Sequence, residues 1–313
     1  MTHFTVSRRA FLASGTVFVA RATDWRQSDA LRALYNLDFD RAVRLLDTES
    51  AASKNPDLSN DLAYALLYRA MFQADALDGD SVLSIANYLH KPKVPMSAED
   101  RNRFQGAIAR SNQLAQTLLS KNANDANAYY ALGTSETHKA NLALLIDKDW
   151  RAALKTAGDA RTLHSKALTL DPNMVDAQLV PSMHEYVVGS LPFYLKALGF
   201  LVGFTGDKDK GLQGIKNVSA YGQRSKLEAT VLLSLIESRE EHPDRAAQIM
   251  RSLAADFPSN HLYRKELAGL LVEARKVEDA RREFAQLTDE RYRFLTADRL
   301  KAYSRQFEAK IKA

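Results

Sequence analysis

The chain contains no cysteine. Disulfide frameworks, thiolate metal sites, cysteine nucleophiles and a lipoprotein anchor are therefore excluded. Proline and glycine are scarce, at 8 and 13 in 313 residues. Both break helices, so their scarcity argues for long helices and against an all-β or disordered chain. A large excess of one charge is missing as well. The formal net charge is +5, but residues 1–22 hold Arg8, Arg9 and Arg21 and no acid, leaving 40 basic against 38 acidic side chains beyond them. A nearly balanced body without a basic stripe excludes nucleic acid as the expected partner. No G-x-S-x-G, phosphate loop or dinucleotide fingerprint occurs. The seven histidines, His3, His90, His138, His164, His184, His242 and His261, form no metal-ligand spacing. No catalytic residue, cofactor or metal is expected, and the chain does not read as an enzyme.

The N-terminus has a different character. "MTHFTVSRRAFLASGTVFVARA" is a basic segment ending at Arg9, an apolar run from Ala10 to Ala20, and Ala20 and Ala22 as an A-x-A site before Thr23. That order predicts a signal peptide over residues 1–22. "SRRAFL", Ser7 to Leu12, resembles the twin-arginine export motif of bacteria, which implies a periplasmic destination. The apolar run is shorter than the ~20 residues a bilayer span needs.

The mature chain, residues 23–313, reads as one domain. Its composition is 46% hydrophobic and 26% charged, that of a globular chain with a sizeable core. A 34-residue period marks its C-terminal part. Leu233, Ala246, Met250 and Leu253 return as Leu267, Ala280, Phe284 and Leu287, with Pro258 between the two units. "AYYALG" places Tyr129, Leu132 and Gly133 in one helix, and "ALTLDPNMVDA" from Ala167 ends another whose small residue is Ala160. The spacing from Gly133 to Ala160 leaves room for helices about two turns longer than those of the 34-residue units. Ala42 and Leu46 place a helix after a short one at Ser28 to Asn36. Long helices are expected at about 59–79, 81–90 and 97–120, the last opened by Ser97 and Asp100 as a capping box. Leu300, Tyr303, Phe307 and Ile311 share a face of a terminal helix suited to capping the stack.

These spacings resemble the tetratricopeptide repeat. Its pattern of small residues at helix crossings and aromatic or leucine residues in the adjoining grooves implies an all-α, right-handed solenoid of helical hairpins, four to five here, some with extended helices. From about residue 125 to 290 the chain also resembles the branch of that superfamily that includes the fungal inclusion-body clearance protein. The resemblance rests on Leu191, Pro192, Lys196, Leu198, Gly203, Phe204, Gly206, Asp207, Gly211 and Leu212. It implies a helical scaffold with a loose link to lipid-related roles, and it supplies no catalytic residues. The stretch "LPFYLKALGFLVGF" within it carries one charge in fourteen residues. With a proline, a lysine and two glycines it makes a poor membrane span, and apolar residues on two helical faces favour a core helix. Ser190 is placed to cap that helix, and Asp207 to start the next.

Eight aromatic residues, Tyr129, Tyr130, Trp150, Tyr186, Phe193, Tyr194, Phe200 and Phe204, cluster in the extended-helix region. Core packing accounts for them, and so does a lined groove. Tetratricopeptide grooves use the first helix of each hairpin to bind extended peptides, which implies Tyr129, Glu136, Lys139, His184 and Tyr186 as binding positions. The expected partner is a protein or peptide. The alternatives are a small apolar or lipid-like ligand between the long helices, and an accessory role in an envelope enzyme complex.

Overall fold

The computed structural model describes residues 28–77, 92–190 and 205–312. The signal segment, the helix expected at 81–90 and the apolar stretch at 191–204 lie outside them. Every regular element among the described residues is helical. In chain order these are α1 (Asp29–Tyr35), α2 (Phe39–Ala52), α3 (Pro56–Gln73), α4 (Ala98–Lys121), α5 (Ala126–Asn141), α6 (Trp150–Leu170), α7 (Leu179–Gly189), α8 (Lys208–Tyr221), α9 (Lys226–Arg239), α10 (Pro243–Asp256), α11 (His261–Glu273), α12 (Val277–Ala285) and α13 (Ala297–Lys312).

Local chemistry sets most boundaries. Ser97 Oγ accepts the Asp100 N–H (3.0 Å) at the start of α4, as the capping box predicts. The return arm is not made, because the Asp100 carboxylate pairs with Arg69 of α3 instead. Asp207 caps α8 by accepting the Lys210 N–H (3.0 Å). Ser190 closes α7, its N–H bonded to the Tyr186 carbonyl (2.9 Å). α3 begins earlier than the apolar spacing implied, because Asn55 caps it and Pro56 supplies a preset first turn. It also ends earlier, at a left-handed Asp75 (φ 53°).

That turn recurs. Leu37, Asp75, Glu241 and Arg275 all have positive φ. In each, the next residue's N–H reaches five residues back, as His242 does to Glu237 (2.8 Å) and Lys276 to Leu271 (2.8 Å). The left-handed residue's own N–H bonds three residues back, as Glu241 does to Ser238 (3.0 Å). This is the Schellman closure. Glu241 and Arg275 stand one 34-residue period apart, so the repeat seen in the side chains is also present in the backbone.

Consecutive helices pack as antiparallel hairpins, α1 with α2 through α11 with α12, and α13 lies against α11. α6 has 21 residues where α9 and α10 have 14 each. α5 is prolonged by a wide π turn, Leu142–Ile146. Ala42, Leu46, Ala160, Ala246, Ala280 and Leu267 are all buried where helices cross. Phe307 of α13 stacks on Phe284 (4.3 Å).

The first described helices also meet the α10–α11 region. Tyr35 of α1 packs on Phe257 (5.3 Å) after α10, and its carbonyl accepts the Asn260 side-chain amide (2.8 Å). Phe72 of α3 packs on His261 of α11 (5.9 Å). One hydrophobic core accordingly runs from Ala30 to Phe307. Helices of every hairpin position contribute to this core. Side-chain contacts also cross the interior between first helices of hairpins, α1 with α9 and α3 with α11, and link the turn before α9 to α3 and α5.

Candidate functional site

Where these first helices converge, the lining turns polar. Arg224, just before α9, donates through Nη2 to both carboxylate oxygens of Asp61 (2.8 Å each) and lies 3.6 Å from Asp57, both on α3. Ser225 Oγ meets the Tyr130 hydroxyl of α5 (3.1 Å). Asp176 accepts the backbone N–H groups of Gln223 (2.9 Å) and Ser225 (3.0 Å). One turn further along α9, Glu228 accepts the Tyr35 hydroxyl through Oε1 (2.6 Å). Around it stand Tyr64 and Tyr68 of α3, stacked at 4.2 Å, and Tyr263 of α11.

These groups stay partly open to solvent, and the region they share is called the cleft below. The side chains of Asp57, Asp61 and Arg224 keep 19%, 18% and 10% of their surface exposed. Tyr64, Tyr68, Glu228 and Tyr263 are half-buried. The surrounding protein nevertheless desolvates them strongly. Burial raises Tyr35, Tyr64 and Tyr263 well above the usual phenol range, with the Glu228 charge adding to each. Burial also raises Asp57, against the pull of Arg224. For Arg224 burial works against the charge, but Asp57 and Asp61 outweigh it and hold the guanidinium protonated. Among the described residues no cation pairs with Glu228, and burial pushes its carboxyl up to about 7. Titratable groups this far displaced, gathered in one cleft, mark a candidate site.

No protein-family model and no curated protein matches the chain.

The five positions taken from the sequence fall on two other stretches. Tyr129, Glu136 and Lys139 lie on α5, and His184 and Tyr186 on α7. Tyr129 turns toward α6, with Lys166 over its ring at 5.9 Å. Lys139 pairs with Glu136 at 2.5 Å, one turn away. His184 is half-buried, and burial lowers its pKa. Tyr186 is 2% exposed, packed on Ile215, Leu233 and Ile236, with its hydroxyl bonded to Glu240 (2.8 Å). The cleft instead takes Tyr130, one residue on from Tyr129 and about 100° around the helix. Of the wider aromatic cluster, Trp150 is 51% exposed, while Phe193, Tyr194, Phe200 and Phe204 lie outside the described residues. Arg224 and Glu228 had no sequence signal of their own. Ser225 and Glu228 spell a capping box, which hid the acid's role. Neither arm of that box forms, since Ser225 Oγ is held by Tyr130 and Glu228 by Tyr35.

Among the described residues no group of three His, Asp or Glu could hold a metal ion. Nor is any described helix long and apolar enough to cross a membrane.

The raised Glu228 carboxyl has a measurable consequence. Between pH 4.5, its usual value, and about 7 the folded chain holds more protons at this group than the unfolded chain. Its contribution to stability therefore falls as pH rises through that window and is flat above it. Glu228→Gln should remove the fall, leaving the variant about 2 kcal/mol more stable than wild type at pH 8 and nearly equal at pH 4.5. Urea midpoints at the two pH values check this. His138, His164 and His261 act in the opposite direction. Burial lowers each to about 4, so their contribution is lost as pH falls below 6.5 in variant and wild type alike.

Proposed function

We propose that this chain is an exported, non-enzymatic binding scaffold, a tetratricopeptide-type solenoid whose inner face engages a protein or peptide. The observation that carries the reading is the convergence of the first helices, α1, α3, α5, α9 and α11, on one half-exposed polar cleft. In the repeat family that this chain resembles, that face is the peptide-binding one. The lining favours a peptide over an apolar ligand, because carboxylates, a guanidinium and phenol hydroxyls offer hydrogen bonds that a lipid tail cannot use. The twin-arginine-like "SRRAFL" supports export in a folded state.

Site-specific photocrosslinking in the source cell tests the binding face. A photoreactive residue in place of Tyr263, at the cleft, should give a discrete protein adduct. One in place of Arg251, 52% exposed on the second helix of its hairpin, should not. Identical adducts from both positions, or none from Tyr263, would overturn the inner-face reading. Export is tested separately: Arg8→Lys with Arg9→Lys should move the protein from the envelope fraction to the cytoplasm.

A further inference from the structure

We infer that the cleft formed by Tyr35, Tyr64, Tyr68, Tyr263 and Glu228 is a receptor for an organic ammonium group, the cationic end of whatever the scaffold binds. The inference deepens the scaffold reading and rests on it.

Three observations lead there. The first is an unanswered negative charge. Oε1 of Glu228 takes the Tyr35 hydroxyl and the residue's own backbone N–H steadies the carboxylate, but Oε2 is shielded from solvent and meets no donor from another residue. No Lys, Arg or His among the described residues forms an ion pair with Glu228, and Arg224, one turn before it, is committed to Asp57 and Asp61. A buried carboxylate is normally paired, since leaving one uncompensated is costly.

The second is the company it keeps. Tyr64 and Tyr68 present stacked rings (4.2 Å), while Tyr35 and Tyr263 flank Phe257 at 5.3 and 6.1 Å. Tyr35, Tyr64 and Tyr263 each feel the Glu228 charge. Aromatic faces attract cations through the ring quadrupole, most strongly where water is displaced. Several rings about one carboxylate fit a cation that carries carbon, such as a lysine side chain or a methylated ammonium. A bare metal ion would require more oxygen ligands of full charge than this cleft offers.

The third is a local preference given up. The Ser225-x-x-Glu228 sequence would let the acid bond the Ser225 N–H at the start of α9. That N–H is bonded to Asp176 (3.0 Å) instead, and Glu228 is turned into the tyrosine cleft. Positions where a local preference is overridden are often functional.

Isothermal titration of the full chain at pH 8 provides the test. The probes are tetramethylammonium, a lysine-containing peptide and the same peptide trimethylated at lysine. At least one should bind with a dissociation constant below about 1 mM. Binding of tetramethylammonium alone identifies a free ammonium ligand, and binding confined to the peptides identifies a side chain. Glu228→Gln should weaken the interaction about tenfold or more, and Tyr64→Phe, which keeps the ring, should preserve it within about threefold. Acidification from pH 8 to 6 should weaken wild-type binding as Glu228 takes up a proton, with Asp57, Asp61, Asp176, Arg224 and the four tyrosines as its charged and titratable surroundings. Failure of all three probes, or equal binding by the Glu228→Gln chain with its melting transition intact, overturns the inference. Should the Tyr263 crosslink form while no ammonium binds, the inference fails and the scaffold reading stands. Ammonium binding without a crosslink would uphold the ammonium site and overturn the protein-binding inner face.

Discussion

Replacing Arg224 with leucine should remove about 3 kcal/mol of folding stability, one of the largest single losses available in this chain. The guanidinium sits between two carboxylates of α3, Asp61 at 2.8 Å and Asp57 at 3.6 Å. It joins elements 163 residues apart in sequence. Truncating it would leave two desolvated acids facing each other, which costs more than the pair itself contributes. The residual exposure of all three side chains tempers the figure, because water can partly replace the lost partner. The same reasoning predicts rescue. Adding Asp57→Asn and Asp61→Asn to Arg224→Leu should recover more than half of the loss, since amides carry no charge to strand. Urea unfolding of wild type, single and triple variants at pH 7 measures both numbers. Equal losses in the single and triple variants would mean that Arg224 acts by packing alone.

That linkage also marks where sequence reasoning stopped. The helices were legible because their burial is periodic within one element: Ala246 and Met250, or Ala280 and Phe284, repeat at helical spacing whatever lies opposite. Leu233 and Leu267, 34 residues apart, were legible for the same reason. What covers a buried face is not written in that face. Tyr35 reads as the end of a short helix and Glu228 as the acid of a capping box, and nothing local joins residues 193 positions apart. Their meeting depends on how all the helices between them pack. The left-handed turns were hidden for another reason. Leu37, Asp75, Glu241 and Arg275 occupy positions where glycine or asparagine is the usual signal. Each is held by the two backbone bonds of its turn rather than by its own preference. Of the binding positions named from the sequence, those on α5 differ from the cleft by angle, and His184 and Tyr186 on α7 by element. α5 does reach the cleft, but through Tyr130, and a single residue's step turns a side chain from one neighbour to another.

The glycines of α8 offer the second large effect, and its sign separates two roles of the same residue. Gly211 is buried where α8 crosses α7. A Cβ built there would lie 2.6 Å from the Ser182 carbonyl oxygen and 2.7 Å from Tyr186 Cα. Both obstacles are backbone, so no rotamer change relieves them, and the two helices must move apart. Such overpacking costs about 1–3 kcal/mol and occasionally more. Against it stands the helix preference of alanine over glycine, worth about 1 kcal/mol. The steric term wins, and Gly211→Ala should lower stability by about 2 kcal/mol. Gly106, in the exposed middle of α4, would place the same methyl in open space. There only the preference term remains, and Gly106→Ala should raise stability by about 0.5–1 kcal/mol. Opposite shifts of the melting temperature for one chemical change, at two helical glycines of one chain, would establish that α7 and α8 touch backbone to backbone. A Gly211→Ala chain as stable as wild type would show that they do not. Tyr186, whose backbone forms one side of that contact, would then be open to reassignment from core to groove.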